Sequence, residues 1–146
     1  SLRTSISDGG LKSALEEYVD KFGDQAGIKT RIVVEPGTDL GLNPVAEVQV
    51  LRIVQEALTN IRKHARAKSA VVRISSQNGN TLLAIEDDGC GFDVAAQQKG
   101  GHFGLHTMRE RAEGIGASFT VNSVLGEGTT VQVSIPKTRR GDGFGS

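Results

Sequence analysis

Residues 45–67 contain neither glycine nor proline, and this uninterrupted stretch is the feature that most limits the possible folds. Its apolar side chains recur every three or four residues, which indicates an α-helix. At about 100° per residue they fall in a stripe roughly 80° wide, made by Leu51, Val54, Leu58, Ile61 and Ala65. Because such a stripe has to be buried, the sequence predicts a long amphipathic helix with one side against a hydrophobic core.

The opposite side of this helix carries polar side chains of three kinds. Glu56, Asn60 and Lys63 lie within roughly 60° of one another and almost opposite the apolar stripe. An amide oxygen is a suitable ligand for Mg²⁺, a lysine attracts phosphates, and a glutamate can orient or deprotonate a nucleophile. On the helix alone, a solvated polar face is the simpler interpretation. A binding site here requires another segment that covers this face.

The rest of the pattern predicts two more helices and about five strands. The helices are expected at about 10–26 and 105–113, and the strands at 30–35, 70–76, 81–87, 118–124 and 129–135, the first of them at a sheet edge. Hairpins join the strands across 77–80 and around Gly126 and Gly128. Since strands and helices do not alternate regularly, we expect an α+β fold, a two-layer sandwich with about three helices on one face of a mixed, mostly antiparallel sheet.

The length of 146 residues allows one domain with a real core, which we expect at 9–137 between a polar tail at 1–8 and a flexible tail at 138–146. The 17 basic and 17 acidic residues leave no net charge to attract nucleic acid or anionic lipid. The single cysteine, Cys90, excludes an internal disulfide and is expected to be partly buried. No apolar stretch approaches the roughly 18 residues of a membrane span. We therefore expect a cytoplasmic domain without membrane or nucleic-acid contact.

Strand 81–87 runs directly into a segment with alternate glycines, DDGCGF at 87–92. A carboxylate at the strand end, followed by Gly89 and Gly91, would let a flat ligand lie against bare backbone. Asp87 could accept a hydrogen bond from the amino group of adenine, whereas it would repel the carbonyl oxygen of guanine. A turn that needs only aspartate and glycine explains the same residues equally well.

Two further glycine segments follow. GGHFGL at 100–105 opens the third helix, so free backbone amides point toward any nearby anion. GEGT at 126–129 precedes the last strand, where an ordinary hairpin turn is the simpler interpretation. Neither segment is specific alone, and the order and combination of the segments carry more information than any one of them.

Taken together, four segments resemble the ATP-binding catalytic domain of sensor histidine kinases: EALTNIRKHA at 56–65, DDGCGF at 87–92, GHFGLHTMRER at 101–111 and GEGTTVQVSIP at 126–136. The likeness is greatest to the nitrate-sensor and DesK-like branch. That branch belongs to the wider Bergerat ATP-binding fold, shared with gyrase, the ninety-kilodalton heat-shock chaperone and the MutL mismatch-repair protein. The resemblance extends over about residues 9–137.

The resemblance implies a role for each matched position. Glu56 is the implied catalytic residue, and Asn60 would coordinate Mg²⁺ together with phosphate oxygens and water. Lys63 would reach the phosphates, and His64 would lie near the ribose or the phosphates. The implied ATP-binding residues are Asn60, Lys63, His64, Asp87, Gly89, Gly91, Gly101, Gly104, Leu105 and Thr129.

The resemblance also implies an activity, transfer of the γ-phosphate of Mg·ATP to a histidine on the dimerisation domain of the parent protein and then to a response regulator. Such a histidine is typically followed by an acidic residue, whereas His64, His102 and His106 are not. We therefore expect the phosphoacceptor to lie outside this chain. Two alternatives stay open: a non-catalytic ATP-binding regulatory module, and another ATPase or serine kinase of the same superfold.

The sequence departs from the family pattern in two places. The segment between Phe92 and Phe103 is short, and the second glycine box reads GHFGL where GxGLG is commoner. Asp88 stands where asparagine is frequent, which adds negative charge near the base and is expected to weaken nucleotide binding modestly. No role follows for four arginines, which we expect to be exposed helix charges: Arg62, Arg66, Arg109 and Arg111.

Overall fold

The structure, a computed structural model, describes residues 2–38, 40–95 and 104–136, and of residues 2–9 only the backbone. Three helices, a π-helical turn and five strands succeed one another along these residues. In chain order they are α1 (Leu2–Ala26), β1 (Lys29–Val34), α2 (Pro44–Asn60), the π-helical turn (Ile61–Ala65), β2 (Ser69–Gln77), β3 (Asn80–Asp87), α3 (Leu105–Gly114), β4 (Ser118–Val124) and β5 (Gly128–Pro136).

The strands form one sheet in the order β1-β2-β3-β5-β4. β1 lies at an edge and pairs with β2 in parallel, while the other neighbouring strands are antiparallel. α1 packs on β1, α2 packs on α1 and β3, and α3 packs on α2 and β4. The predicted α+β sandwich is thereby confirmed, including the edge position of β1.

A hydrophobic layer fills the space between the helices and the sheet. Alternate side chains of β2, β3 and β5 supply one side of it, because successive residues of a strand point to opposite faces. Val72 pairs with Ile85, and Ile85 with Val131, so three adjacent strands present one apolar row. The apolar stripe of α2 supplies the other side, and all of its predicted members are buried: Leu51, Val54, Leu58, Ile61 and Ala65.

The first helix is longer than the sequence predicts. Its backbone is helical from Leu2, and Gly10 interrupts it with φ 78° and ψ −179° before it continues to Ala26. The interpretation of 1–8 as a tail depends on the glycine pair, but within α1 only Gly10 leaves the helical conformation, which its missing side chain permits. Residues 138–146, the second expected tail, lie outside the described part of the chain. Among the described helices, none combines the length and the apolar character of a membrane span.

The long helix α2 begins where the sequence predicts and ends earlier than the predicted residue 67. Asn43 caps it by accepting a hydrogen bond from a first-turn amide at 2.8 Å, and Pro44 occupies the first position, where no amide donor is needed. Regular geometry ends at Asn60, and the π-helical turn Ile61–Ala65 leads into Arg66 in left-handed conformation, with φ 53° and ψ 37°. A π-turn is wider than an α-turn, so the rotation of about 100° per residue does not hold beyond Asn60.

Candidate functional site

A cavity opens between the C-terminal part of α2 and the ends of β3 and β5, with an empty volume of about 430 Å³. The residues that line this first cavity are Ala57, Asn60, Ile61, His64, Ala65, Ile85, Asp87, Gly91, Phe92, Leu105, Thr129 and Val131. Most of them are apolar, and the polar side chains belong to Asn60, His64, Asp87 and Thr129. Such a lining suits a flat, largely apolar ligand with a few polar atoms at its edge.

Asp87 ends β3 at this first cavity and is half-buried. Its Oδ1 accepts a hydrogen bond from the Gly89 amide at 2.7 Å. Burial raises the pKa of the Asp87 carboxyl and the charge of Asp88 raises it further, while bonds from the Gly89 and Thr129 amides oppose the rise. The charged form is therefore costly here, a situation that is common for carboxylates at functional sites.

Asp88 holds the start of β2. Its Oδ1 accepts hydrogen bonds from the amides of Lys68 and Ser69 at 2.8 and 3.0 Å, and its Oδ2 accepts one from the Ser69 hydroxyl at 2.9 Å. These bonds, that from the Ser69 amide above all, lower the pKa of the Asp88 carboxyl. The charge of Asp88, which the sequence predicts to lie near the base, is thus bound by the start of β2. It affects the cavity by raising the pKa of Asp87.

The glycines of segment 87–92 are required for backbone packing. A side chain at Gly89 would overlap the carbonyl group and Cβ of Ala65, and one at Gly91, where φ is 65°, would overlap the carbonyl group of Val124. Gly91 lines the first cavity, whereas Gly89 is buried and does not. Both missing side chains therefore make room for the protein's own backbone, and of the two glycines only Gly91 also lines the cavity. The approach of a ligand to this backbone stays a prediction.

Hydrogen bonds fasten this segment to two neighbouring elements. The Cys90 amide donates to the Ala65 carbonyl at 2.6 Å, and the Cys90 thiol donates to the His64 carbonyl at 3.3 Å. From the β4–β5 turn, the Gly126 amide donates to the Cys90 carbonyl at 2.6 Å. Cys90 itself is exposed, in contrast to the expected partial burial. The helix end, the strand end and the turn are thereby held together around the cavity.

Ser123 is a site residue that is missing from the sequence-based prediction. Its hydroxyl lies 2.7 Å from the hydroxyl of Thr129, accepts a hydrogen bond from the Phe92 amide at 2.8 Å and donates to the Gly128 carbonyl at 3.3 Å. It therefore orients Phe92 and Thr129, which both line the first cavity. The sequence did contain a signal for Ser123, because aligning β4 and β5 as a hairpin pairs Ser123 with Thr129.

A second cavity adjoins the first at Asn60 and lies between α2 and α3, with an empty volume of about 600 Å³. Its lining residues are Arg52, Gln55, Glu56, Thr59, Asn60, Gly104, Thr107 and Arg111. This lining is polar and includes two arginines, which suits the anionic part of a ligand. Because Asn60 lines both cavities, a ligand with a flat end and an anionic end can occupy them together.

Arg109 and Arg111, expected to be exposed helix charges, are half-buried and make specific contacts. The Arg111 Nε donates to Glu56 Oε1 at 3.0 Å. Arg109 stands over the ring of Phe119, 5.1 Å from its centroid, and donates to the Phe119 carbonyl at 3.2 Å. Helical spacing could not reveal these contacts because both partners belong to other elements. The other two arginines of that prediction are exposed.

Most of the predicted site residues converge on the two cavities. The first is lined by Asn60, His64, Asp87, Gly91, Leu105 and Thr129, and the second by Glu56, Asn60 and Gly104. Lys63 is exposed and lines neither cavity, and it lies in the π-helical turn, beyond the last regular residue of α2. Gly101 lies outside the described residues.

Comparison with known proteins identifies similar chains. A model of the histidine kinase-, DNA gyrase B- and HSP90-like ATPase family matches residues 45–139. An uncharacterized sensor-like histidine kinase of Chloroflexus aurantiacus is 39% identical over an alignment of length 135 that covers 87% of this chain and 22% of that protein. The kinase/phosphatase DegS of Brevibacillus brevis is 35% identical, with 93% of this chain and 35% of DegS covered. The nitrate/nitrite sensor protein NarQ of Escherichia coli is 35% identical, with 92% of this chain and 24% of NarQ covered.

The chain thus spans only about a third or less of the length of these relatives. Among solved structures, the histidine kinase domain of a blue-light activated kinase from Erythrobacter litoralis superposes with a TM-score of 0.74 at 24% identity, over 92% of this chain and 69% of that chain. The histidine kinase AdeS of Acinetobacter baumannii superposes with a TM-score of 0.68 at 12% identity, over 88% of this chain and 64% of the AdeS chain. At these identities the superpositions show a common fold.

The opposite pKa shifts of two adjacent carboxyls predict opposite effects on stability. Asp87→Asn removes a charge that burial disfavours, so we expect a higher free energy of unfolding at neutral pH, with the gain disappearing below the ordinary pKa of 3.8. Asp88→Asn removes a charge that its hydrogen bonds favour, so we expect a lower free energy of unfolding at neutral pH, with the loss shrinking as the pH falls through the lowered pKa. Urea denaturation at a series of pH values measures both, and shifts of equal sign would contradict the assignment.

Proposed function

The chain belongs to the histidine kinase-, DNA gyrase B- and HSP90-like ATPase family, and on this basis we propose that it is the ATP-binding catalytic domain of a two-component sensor histidine kinase. In this proposal the domain works in the cytoplasm and binds Mg·ATP across the two cavities. It transfers the γ-phosphate to a histidine on a separate dimerisation domain of the parent protein, from which a response regulator receives it.

One observation carries the proposal: the costly charge of Asp87 lies at the edge of an apolar cavity. A ligand that donates a hydrogen bond to this half-buried carboxylate offsets the cost of its charge. The amino group of adenine donates such a bond, while Ile85 and Val131 supply apolar surface for the ring. Guanine presents a carbonyl oxygen at the same place, which the carboxylate repels. The cavity therefore favours adenine.

The second cavity supports a site for the phosphates. Arg52 lines it, and α3 begins beside it after Gly104, so the positive end of a helix dipole faces the same space. Mg²⁺ commonly takes few protein ligands and completes its coordination shell with water and phosphate oxygens. A single amide oxygen, that of Asn60, is consistent with this coordination. Among the side chains that the structure describes, no group of three histidine, cysteine, aspartate or glutamate residues is arranged around a common metal position. Bound magnesium would neutralise part of the phosphate charge.

Glu56 is the proposed proton acceptor of the transfer. It lines the second cavity with Asn60, which lies one helical turn further along α2. In the transfer, one ring nitrogen of a neutral imidazole bonds to the γ-phosphorus, the bond from that phosphorus to the bridging oxygen breaks, and ADP leaves with the electron pair. The other ring nitrogen loses its proton to the Glu56 carboxylate. Positioning and charge neutralisation supply most of the acceleration in such reactions.

Replacement of Asp87 tests the adenine site. Asp87→Ala removes a charge-assisted hydrogen bond worth roughly 1.5 to 3 kcal/mol, so ATP affinity measured by calorimetry should fall about tenfold to a hundredfold. Glu86→Ala is the matched control, because Glu86 precedes Asp87 on β3, points to the opposite face of the sheet and pairs with Arg73 at 3.3 Å. Unchanged ATP binding by Asp87→Ala, or equal binding of ATP and GTP by the unaltered chain, would exclude the adenine assignment.

Replacement of Asn60 tests the metal role. If Asn60 coordinates Mg²⁺ on the phosphates, Asn60→Ala should abolish most of the difference between ATP affinity measured with Mg²⁺ and ATP affinity measured with a chelator. Asn122→Ala, at an exposed position of β4, should keep that difference. A normal Mg²⁺ dependence in Asn60→Ala would show that another group holds the metal.

Transfer of label tests the kinase activity itself. The domain is mixed with γ-labelled ATP and with the helical segment of the parent protein that carries a histidine followed by an acidic residue. We expect that segment to become labelled through an acid-labile bond and to stay unlabelled when its histidine is replaced by glutamine. Binding of ATP without transfer would favour the regulatory module, and an acid-stable label would favour a serine kinase.

A further inference from the structure

Arg111 joins α3 to the polar face of α2 through two acceptors. Its Nε donates to Glu56 Oε1 at 3.0 Å, and its Nη1 donates to Gln49 Oε1 at 3.1 Å. Gln49 and Glu56 lie seven residues apart and therefore on the same side of the helix, two turns from each other. The guanidinium thus spans this side of α2 and holds one oxygen of the Glu56 carboxylate.

The second oxygen of the same carboxylate, Oε2, has a different environment. Glu56 Oε2 is buried and has no hydrogen-bond partner among the described residues. A buried carboxylate oxygen without a donor is expensive, because it has lost its bonds to water and gained none in return. The carboxylate is therefore held through Oε1, while Oε2 is enclosed by the protein.

The geometry is not that of an ion pair selected for stability. The two side chains are 27% and 29% exposed. A stabilising arginine–carboxylate pair commonly uses two parallel bonds to both oxygens. Here the guanidinium divides its bonds between Glu56 and Gln49, so its planar fork orients the carboxylate and spares Oε2.

We infer that Arg111 is a positioning residue for phosphoryl transfer: it fixes the orientation of the Glu56 carboxylate, the group that receives the N–H proton of the incoming imidazole. This inference rests on the proposed function, since it assigns a partner to the proton acceptor of that reaction. Both residues line the second cavity together with Asn60, so the carboxylate is held beside the proposed phosphate site. Gln49 completes the arrangement by holding the other end of the guanidinium.

The test uses the full parent protein, in which the acceptor histidine is present, and compares Arg111→Gln, Arg111→Lys, Glu56→Gln and the double variant Glu56→Gln/Arg111→Gln. Misplacement of a catalytic group by a short distance costs up to about a hundredfold in rate, so Arg111→Gln should slow label transfer about tenfold to a hundredfold. ATP affinity, measured by calorimetry on the same samples, should change much less than the transfer rate. Arg111→Lys should recover part of the rate because it keeps a donor and the charge.

A positioning role also predicts that the two losses are not independent. Once Glu56 is replaced, Arg111 has no carboxylate to hold, so the double variant should transfer label at about the rate of Glu56→Gln alone. Arg109→Gln is the matched control, since Arg109 lies on the same helix and contacts Phe119 instead; it should lower stability and leave the transfer rate unchanged.

Several results would overturn the inference while the proposed function stands. These are transfer at the normal rate by Arg111→Gln, losses that multiply in the double variant, or a loss of ATP binding by Arg111→Gln and Arg111→Lys that matches the loss of transfer. The last result would make Arg111 a residue of ATP binding or of folding and not a positioning residue. Absence of any transfer by the unaltered parent protein would instead refute the proposed function, and this inference with it.

Discussion

The close backbone contact between segment 87–92 and the end of α2 is the constraint on which the site depends. Gly89 leaves the space that Ala65 fills, and the Cys90 amide reaches the Ala65 carbonyl at 2.6 Å. The last carbonyls of a helix lack partners within the helix, so the loop satisfies groups that would otherwise need water. A side chain at Gly89 would push the two backbones apart, and the wall between α2 and β3 would be displaced with them.

Two neighbouring aspartates, Asp87 and Asp88, differ in whether the folded chain favours their charged form. Asp88 closes the start of β2 with three hydrogen bonds, which makes its charged form favourable. Asp87 stands one residue earlier in a place where burial makes the charged form unfavourable. Functional residues are often kept at some expense of stability, and the raised pKa of Asp87, the proposed adenine ligand, is one such expense.

Periodicity was sufficient for the elements of the fold, because it reports which side chains are buried and burial decides where helices and strands pack. It also predicted the polar face of α2 correctly as far as Glu56 and Asn60. Beyond Asn60 regular spacing does not hold, because a π-helical turn follows, and the role of Lys63 stays a prediction. The carbonyl of Ala65 in this turn accepts a hydrogen bond from the Cys90 amide, a contact distant in sequence that periodicity does not report. The contact of Arg111 was equally hidden, since its partner Glu56 is 55 positions away in the sequence.

The first cavity is assembled from segments that are distant along the chain. Position 65 meets position 90, Asp87 pairs with Thr129, and Cys90 meets the turn at Gly126, so neither the β2–β3 hairpin nor the β4–β5 hairpin contains the cavity alone. Hairpins depend on local contacts and can form early in folding, whereas this cavity exists only after the long-range pairings are complete. A ligand that binds the folded chain and not the unfolded chain stabilises the folded one by mass action. Occupancy of this cavity therefore raises the free energy of any opening that separates these pairings, and global unfolding, which also opens the distant edge strand β1, is one such opening.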